Sequence, residues 1–297
     1  MLAVGLDIGG TKTYIALGRD ETIVDIKAYK TPKDLKTMDN TLKEVIARYL
    51  ASGEEIAGIG IGIAGGIKED GTVWVPSLPY LTGVKFGQRV EDLFNLPTTI
   101  DNDAHVALIG EQWIGAAAGK RNAILVSVGT GIGGAFLVDG EILRGTHGTA
   151  GSVGWLTIKT DPETDKVSYF ESLASGNSLN DLAKEYTVFN DSYMLIEAFR
   201  RGDVKAAEIF NRWASYLGYG IASLVSIMDP ELVIITGGMC REFEIFAPII
   251  REKIREYSSP LTKQTPVCTA GLADRSVIYG ALKMVYMNYQ NKYKNKE

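Results

Sequence analysis

Apolar residues dominate both ends of the first 17 positions, and a glycine-rich polar stretch separates them. The pattern predicts a strand, a turn and a second strand over Leu2–Leu17, with the turn at Gly9–Lys12. Asp7 stands near the end of the first apolar run, where a carboxylate is unfavourable unless a cation or hydrogen-bond donor satisfies it. The segment is therefore typical either of a plain hairpin turn or of a turn that binds a metal-bound polyphosphate.

The same pattern returns in the second half of the chain. Ala123–Val138 again predicts strand, turn and strand, with a glycine-rich turn at Gly129–Gly134. Between the two hairpins, Ile56–Ala64 is a predicted strand, and the strand Thr98–Ile100 leads into Asp101–Asp103. The apolar spacing predicts further strands at Thr22–Tyr29, Thr72–Val75, Trp155–Ile158, Glu231–Thr236 and Pro266–Ala270, and helices at Lys33–Ala51, Phe86–Phe94, 104–118, Tyr169–Ser175, Ser178–Glu185, Tyr193–Arg201, Lys205–Met228, Glu244–Tyr257 and Val277–Tyr289.

The order of these elements indicates an internal duplication. Three strands followed by alternating helices and strands occur twice, which predicts an α/β fold with two similar lobes, each built on a mixed sheet, and a cleft between them. The smaller N-terminal lobe is predicted at 1–105 and 280–297, and the larger C-terminal lobe at 106–279. Ligands of such folds bind beyond the ends of the strands.

Composition narrows the class of protein. The chain has 297 residues, a formal net charge of −5, two Cys and two His. This balance gives no reason to expect nucleic-acid binding, and the few cysteines favour a reducing cytoplasm. The sequence shows neither the basic start of a signal peptide nor an apolar run near the roughly 18 residues of a membrane span, so we expect a cytoplasmic protein without a membrane partner.

Four short motifs, taken in order, resemble those of one family. They are Asp7–Lys12, Asp101–Ala104, Val128–Gly134 and Asp229–Gly238. The chain resembles the ROK family (repressor, open reading frame, kinase), in the sugar-kinase branch of the actin-like ATPase superfamily, over nearly its whole length. The resemblance implies a two-lobed, ribonuclease H-like fold, ATP and Mg²⁺ as ligands, a sugar as acceptor and a homodimeric assembly.

The resemblance also implies roles for individual residues. Asp103 would be the general base for a sugar hydroxyl, and Asp7 would orient a water molecule on Mg²⁺. The residues expected to bind phosphate and nucleotide are Gly9, Gly10, Thr11, Lys12, Thr130, Gly131, Gly237 and Gly238. Structural alternatives exist: Asp103 at the start of a helix is a common N-cap, Lys12 suits a solvated hairpin face, and the glycines suit ordinary loops.

The sugar side departs from the family's pattern. The family's glycine loop ends in Gly-Glu-Ile-Gly-His, whose Glu binds sugar and whose His binds zinc, whereas this chain has Gly151-Ser-Val-Gly-Trp155. The cysteines of the zinc motif are also missing, so we expect no structural zinc. The expected sugar-binding residues are Gly65, Asn102, Asp103, Ser152, Trp155 and Glu171. A lone Trp in an apolar segment is more often core, Asn102 also suits a turn, and Glu171 also suits the first turn of a helix.

Several functions remain open on these residues. The favoured interpretation is an ATP-dependent hexose kinase that phosphorylates a sugar such as glucose, at O6, and the nearest alternative is a kinase for an N-acetylhexosamine. A protein of another class, a sugar-sensing ROK protein without catalysis, also fits the altered glycine loop. A chaperone-like or filament-forming ATPase of the same superfamily is disfavoured, since it has no use for the motif Asp101–Asp103.

Overall fold

The chain forms two units, each built on a five-stranded mixed sheet. The computed structural model describes residues 1–161, 163–185 and 189–294. The first unit contains 1–119, 144–149 and the chain from Gly271 onward, and the second contains 120–143 and 150–270. The predicted duplicated α/β fold with a mixed sheet in each half is confirmed. Residues 295–297 of the predicted N-terminal lobe lie outside the described residues.

The sheet of the first unit has the order β3-β2-β1-β4-β7. Strands β1 to β3 are antiparallel, and β4 and β7 run parallel to β1. The elements are β1 (Leu2–Ile8), β2 (Lys12–Arg19), β3 (Thr22–Lys30), α1 (Leu35–Leu50), β4 (Ile56–Ile63), β5 (Gly66–Ile67), β6 (Val73–Trp74), a 3-10 helix (Pro79–Leu81), α2 (Phe86–Phe94), β7 (Thr98–Asn102) and α3 (Asp103–Ile114). Side chains of β1 and β4 are almost wholly buried, which explains their continuous apolar runs.

The second unit repeats this topology with the order β10-β9-β8-β13-β14. Its elements are β8 (Ala123–Val128), β9 (Ile132–Val138), β10 (Glu141–Ile142), a 3-10 helix (Val153–Trp155), β11 (Thr157–Asp161), β12 (Lys166–Tyr169), α4 (Phe170–Ala174), α5 (Gly176–Glu185), α6 (Ser192–Arg200), α7 (Val204–Met228), β13 (Leu232–Thr236), a 3-10 helix (Gly238–Glu242), α8 (Phe243–Tyr257) and β14 (Val267–Thr269). The core lies between this sheet and α7 and α8, around the fully buried Trp213.

The last helix, α9 (Ser276–Lys294), packs against α3 and the back of the first sheet. Glycines make this approach possible: an added Cβ at Gly60 would collide with the Ala281 carbonyl, and one at Gly280 with the Val106 carbonyl. The close packing explains why α3 belongs to the first unit rather than to 106–279, where the sequence analysis placed most of it. Residues 144–149 also belong to the first unit, although the sequence analysis placed them in the C-terminal lobe.

A buried carboxylate ties α3 to the segment that precedes α9. Glu111 is fully buried and accepts hydrogen bonds from the backbone N–H groups of Ala116, Gly271 and Leu272, at 2.7, 2.8 and 3.0 Å. The Ser276 hydroxyl donates a fourth bond, at 2.6 Å. Because four donors satisfy its carboxylate, Glu111 can be buried without an opposite charge.

The region 153–169 differs most from the sequence-based expectation. The predicted strand Trp155–Ile158 is wrong at its start: Trp155 ends a 3-10 helix, and the strand begins at Thr157. Strand β12 was not predicted, because its alternation over four residues is too short to stand out. Together β11 and β12 form a separate antiparallel hairpin.

Within the described residues, no helix is both long and apolar enough to cross a membrane.

Candidate active site

Three carboxylates of the first unit form a cluster: Asp7 at the end of β1, Asp103 at the start of α3, and Asp274 before α9. Burial, together with the charges of Asp103 and Asp274, raises the pKa of Asp7 to about 7. No described residue forms a hydrogen bond with the Asp7 carboxylate. A cation bound in this carboxylate cluster would relieve both the burial cost and the repulsion.

The residue that caps α3 is Asn102, not Asp103. The Asn102 side-chain oxygen accepts from the N–H groups of Ala104 and His105, at 2.9 and 3.3 Å. Its amide nitrogen donates to the Gly65 carbonyl at 2.9 Å, which leaves a second N–H of the amide for another acceptor. The structural alternative for Asp103, an N-cap, is therefore already filled by its neighbour.

The Asp103 carboxylate keeps most of its hydrogen-bonding capacity. It accepts a bond from its own backbone N–H and one from the N–H of Ala104, the latter at 2.9 Å. Burial raises the pKa of Asp103 to about 6, although these N–H groups and the nearby His105 act in the opposite direction. A carboxylate with a pKa close to neutrality is suited to accept a proton from a hydroxyl group at cellular pH.

An ion-paired network supports the end of β7, the strand that leads into Asp103. Asp101 accepts from Arg144 Nε at 2.7 Å through one oxygen and lies 3.0 Å from His105 Nδ1 through the other. Burial alone would raise the pKa of Asp101, but the hydrogen bond with His105 and the charges of His105 and Arg144 hold it below its usual value. His105 is almost fully buried.

The first glycine turn, Gly9–Lys12, joins β1 to β2. The Gly9 N–H donates to the Lys12 carbonyl at 3.0 Å, which closes the turn. Thr11 and Lys12 are exposed, so their side chains can reach a ligand. Gly10 lies against Ser77, since an added Cβ would stand 2.9 Å from Ser77 Cβ.

The second glycine turn lies in the second unit, between β8 and β9. The carbonyl of Gly129 accepts from the N–H of Gly176 at 2.8 Å, so the start of α5 holds this turn. The Glu171 carboxylate accepts from the N–H of Ile132 at 2.8 Å and occupies the space where Gly131 would carry a side chain. Thr130 at the tip is exposed. Glu171 thus contacts the predicted phosphate turn, a neighbour that sequence reasoning did not assign to it.

The third glycine motif follows β13. Gly237 has φ = 91°, a conformation that favours glycine, and an added Cβ would stand 2.6 Å from the Val128 carbonyl. At Gly238 an added Cβ would meet no atom within 4 Å, so the space beside this backbone is open. The pair is therefore compatible with a ring of a ligand lying against the main chain.

The altered glycine loop places an aromatic side chain in solvent. Trp155 is 68% exposed, and its ring meets Tyr169 edge to face, with centroids 5.3 Å apart. The alternative interpretation of Trp155 as a core residue is therefore wrong. Ser152 is also exposed and directly precedes the 3-10 helix that ends at Trp155.

The chemistry of Asp7, Asp103 and Asp274 is compatible with Mg²⁺. The carboxylate cluster supplies the hard oxygen ligands that Mg²⁺ prefers, whereas no group of three or more His, Cys, Asp or Glu within the described residues is arranged to hold a metal ion by itself. Such a site suits an ion held mainly by substrate phosphates and water. Sequence reasoning missed Asp274, Ser77 and Arg144, because each lies outside the recognised motifs.

In comparisons with known proteins, one protein family matches nearly the whole chain. The family model described as "ROK family" matches residues 3–287. The crystal structure of a ROK hexokinase from Thermus thermophilus has a TM-score of 0.86 and 28% identity, covering 98% of this chain and 100% of that one. A ROK family glucokinase from Streptomyces griseus, in complex with glucose and AMPPNP, has a TM-score of 0.80 and 26% identity, with 97% and 100% covered. A xylose repressor of Caldicellulosiruptor bescii is 29% identical over 95% of this chain and 77% of the repressor.

Proposed function

The chain belongs to the ROK family, and from that premise we propose that it is an ATP-dependent sugar kinase that phosphorylates a hexose such as glucose, at O6. The observation that carries the proposal is the environment of the Asp103 carboxylate. Its pKa is raised to about 6, its neighbour Asn102 performs the helix-capping role, and Asp7 lies in the same carboxylate cluster. A purely structural carboxylate would be expected to have its oxygens fully hydrogen-bonded, as those of Glu111 are.

In the proposed reaction, Asp103 accepts the proton of the acceptor hydroxyl as that oxygen attacks the γ-phosphorus of ATP. The bond from the γ-phosphorus to the β–γ bridging oxygen breaks, and ADP leaves. Mg²⁺, when bound, would neutralise the phosphate oxygens, with Asp7 holding one of its water molecules. The residues proposed to bind the nucleotide are Gly9, Gly10, Thr11, Lys12, Thr130, Gly131, Gly237 and Gly238.

The residues proposed to bind the sugar come from both units and differ in chemical type. Asn102 has one amide N–H left for a hydroxyl group, and Gly65 is held beside it. Ser152, Trp155 and Glu171 are exposed in the second unit. An exposed indole suits the apolar face of a sugar ring, and it replaces a histidine of the family's pattern. The nearest alternative substrate is an N-acetylhexosamine.

The test is a panel of hexoses and N-acetylhexosamines assayed with ATP and Mg²⁺. We expect ADP release to depend on one sugar or a narrow set of them, and the phosphorylated product to be identified by mass spectrometry and NMR. Equal ADP release without any sugar would contradict the assignment and favour a simple ATPase.

The pH dependence of the reaction should report Asp103. Because burial raises the pKa of Asp103 to about 6, the base is protonated below that value and ionised above it. We expect kcat/KM to fall as the pH is lowered through about 6 and to level off above about 7. The measurement is kcat/KM for the sugar between pH 5 and 9 at saturating Mg·ATP. A profile that stays flat down to pH 5 would contradict Asp103 as the base.

Replacing Trp155 should weaken sugar binding without affecting folding. We expect Trp155→Ala to raise the KM for the sugar roughly two- to tenfold, the value of one aromatic contact, and to leave the KM for ATP unchanged. The sugar KM of Trp155→Phe should lie between that of the wild type and that of Trp155→Ala. The matched control is Tyr193→Ala, which removes another aromatic side chain, 70% exposed, from the same unit. An unchanged sugar KM would exclude Trp155 from the sugar site.

A sugar-sensing protein without catalysis is the second candidate function. The similarity to a xylose repressor and the replacement of the family's Glu and His in the loop Gly151–Trp155 favour it. Calorimetry separates the two functions: a sensor binds sugar without turnover of Mg·ATP.

We also propose that the protein is a homodimer, on the resemblance alone, which light scattering on the purified protein tests.

A further inference from the structure

Two buried threonine hydroxyls lie directly behind the first glycine turn. Thr13, in β2, is fully buried, and Thr31, after β3, is 5% exposed. Thr31 Oγ1 donates to the Gly9 carbonyl at 2.7 Å and lies 3.0 Å from Thr13 Oγ1. A hydroxyl has one proton, and that of Thr31 goes to Gly9, so Thr13 donates to Thr31. The result is a directed chain from Thr13 to Thr31 to the carbonyl of Gly9.

The backbone of Thr31 is fixed as well. Its N–H donates to the Thr11 carbonyl at 2.9 Å. Thr31 therefore binds two carbonyls of the glycine turn, one with its side chain and one with its main chain. Since both of these bonds, at 2.7 and 2.9 Å, start from one residue, the position of Thr31 sets the orientation of the turn.

The geometry of a peptide bond transmits this constraint to Gly10. In a planar trans peptide, the carbonyl of Gly9 and the N–H of Gly10 point in opposite directions. Holding the Gly9 oxygen towards Thr31 therefore directs the Gly10 N–H away from the protein interior. No described residue accepts a hydrogen bond from that N–H. Glycine alone would leave this peptide free to rotate.

We propose that Thr31 is a positioning residue, which holds the Gly9–Gly10 peptide so that the Gly10 N–H donates to a phosphate oxygen of the bound nucleotide. The inference rests on the proposed function, because it takes the ligand to be Mg·ATP. Thr13 supports the hydroxyl of Thr31 from behind. An N–H fixed before the ligand arrives does not have to be ordered during the reaction, so it stabilises developing charge more effectively than a mobile one.

The test compares side chains at position 31 that differ by one group. Thr31→Val keeps the shape and removes the hydroxyl, while Thr31→Ser keeps the hydroxyl and removes a methyl group. We expect Thr31→Val to weaken Mg·AMPPNP binding, measured by calorimetry, and to lower kcat, each by about tenfold or more. Thr31→Ser should restore both to within about twofold, and the KM for the sugar should stay unchanged in both variants.

One control and one alternative pair of variants separate positioning from stability. Thr262→Val removes a buried hydroxyl of the second unit that donates to the Ser259 carbonyl at 3.0 Å, and it should change the melting temperature without changing nucleotide affinity. If Thr31→Val does not fold, Thr31→Ala and Thr31→Ser form a second pair that differs only by the hydroxyl. Equal nucleotide affinity and kcat within either folded pair would overturn the proposal.

The outcome also distinguishes this inference from the proposed function. Wild-type protein that binds Mg·AMPPNP but turns over no sugar refutes the kinase, and the affinity ratio between Thr31→Val and Thr31→Ser still decides the role of Thr31. Wild-type protein that binds no nucleotide overturns both.

Discussion

We expect Asp103→Asn to lower kcat by about 10²- to 10⁴-fold, which is the usual contribution of a general base, and to leave nucleotide binding intact. The amide has nearly the shape of the carboxylate and can still accept the N–H of Ala104, which now bonds to Asp103 at 2.9 Å. What is lost is the ability to accept a proton from the sugar hydroxyl. Steady-state kinetics give kcat, and calorimetry with Mg·AMPPNP gives the affinity.

The control for this variant is Asp92→Asn, an exposed carboxylate on α2 of the same unit. It changes the net charge equally and should leave kcat within about twofold, because exposed groups far from the reacting atoms contribute little. If Asp103→Asn retained kcat within tenfold of wild type, the sugar hydroxyl would have to lose its proton elsewhere, and Asp103 would not be the base.

We expect Glu111→Ala to destabilise the protein by about 3 kcal/mol or more, because it leaves three part-buried backbone N–H groups and the buried Ser276 hydroxyl without their acceptor. For a chain of this size the melting temperature should fall by on the order of 10 °C. Glu111→Gln should cost less, since its side-chain oxygen still accepts some of these bonds. Thermal unfolding followed by circular dichroism measures both.

Glu44→Ala is the matched control for this effect. Glu44 lies on α1 of the same unit and forms an ion pair with Arg48, but its side chain is 62% exposed. Removing it should change stability by roughly 0.5 kcal/mol or less. A melting temperature of Glu111→Ala equal to that of Glu44→Ala would mean that water replaces the lost carboxylate, and that Glu111 does not fasten α3 to the segment before α9.

The sequence predicts the elements whose signal is local and regular. Both hairpins carry apolar runs interrupted by glycine, and the motif Asp101–Asp103 lies between a strand and a helix, so their positions follow from the pattern alone. The duplicated sheet follows from the repeated order of elements. The register of its strands does not follow from the sequence. In the structure, Asp7 of β1 and Asp101 of β7 both align with Gly62 of β4, which brings the carboxylate-bearing strand ends to one edge of the sheet.

Other parts of the site depend on contacts between distant positions. Thr31 stands 22 residues from Gly9, and Arg144 stands 43 residues from Asp101, so no spacing rule links either pair. Trp155 is exposed at the end of a 3-10 helix, whereas the apolar pattern predicted that a strand begins there. Glu111 resembles a polar interruption in an apolar helix until its four donors are identified.

The discontinuity of the first unit affects the order in which the protein folds during synthesis. Helix α9 packs on β1 and β4, where Gly5 and Gly60 allow its backbone to approach, yet it is translated after the whole second unit. Until then the apolar face of the first sheet lacks its cover. Since long-range contacts form late, we expect the first unit to complete its fold only after α9 has emerged from the ribosome, and its sheet to be prone to aggregation until then.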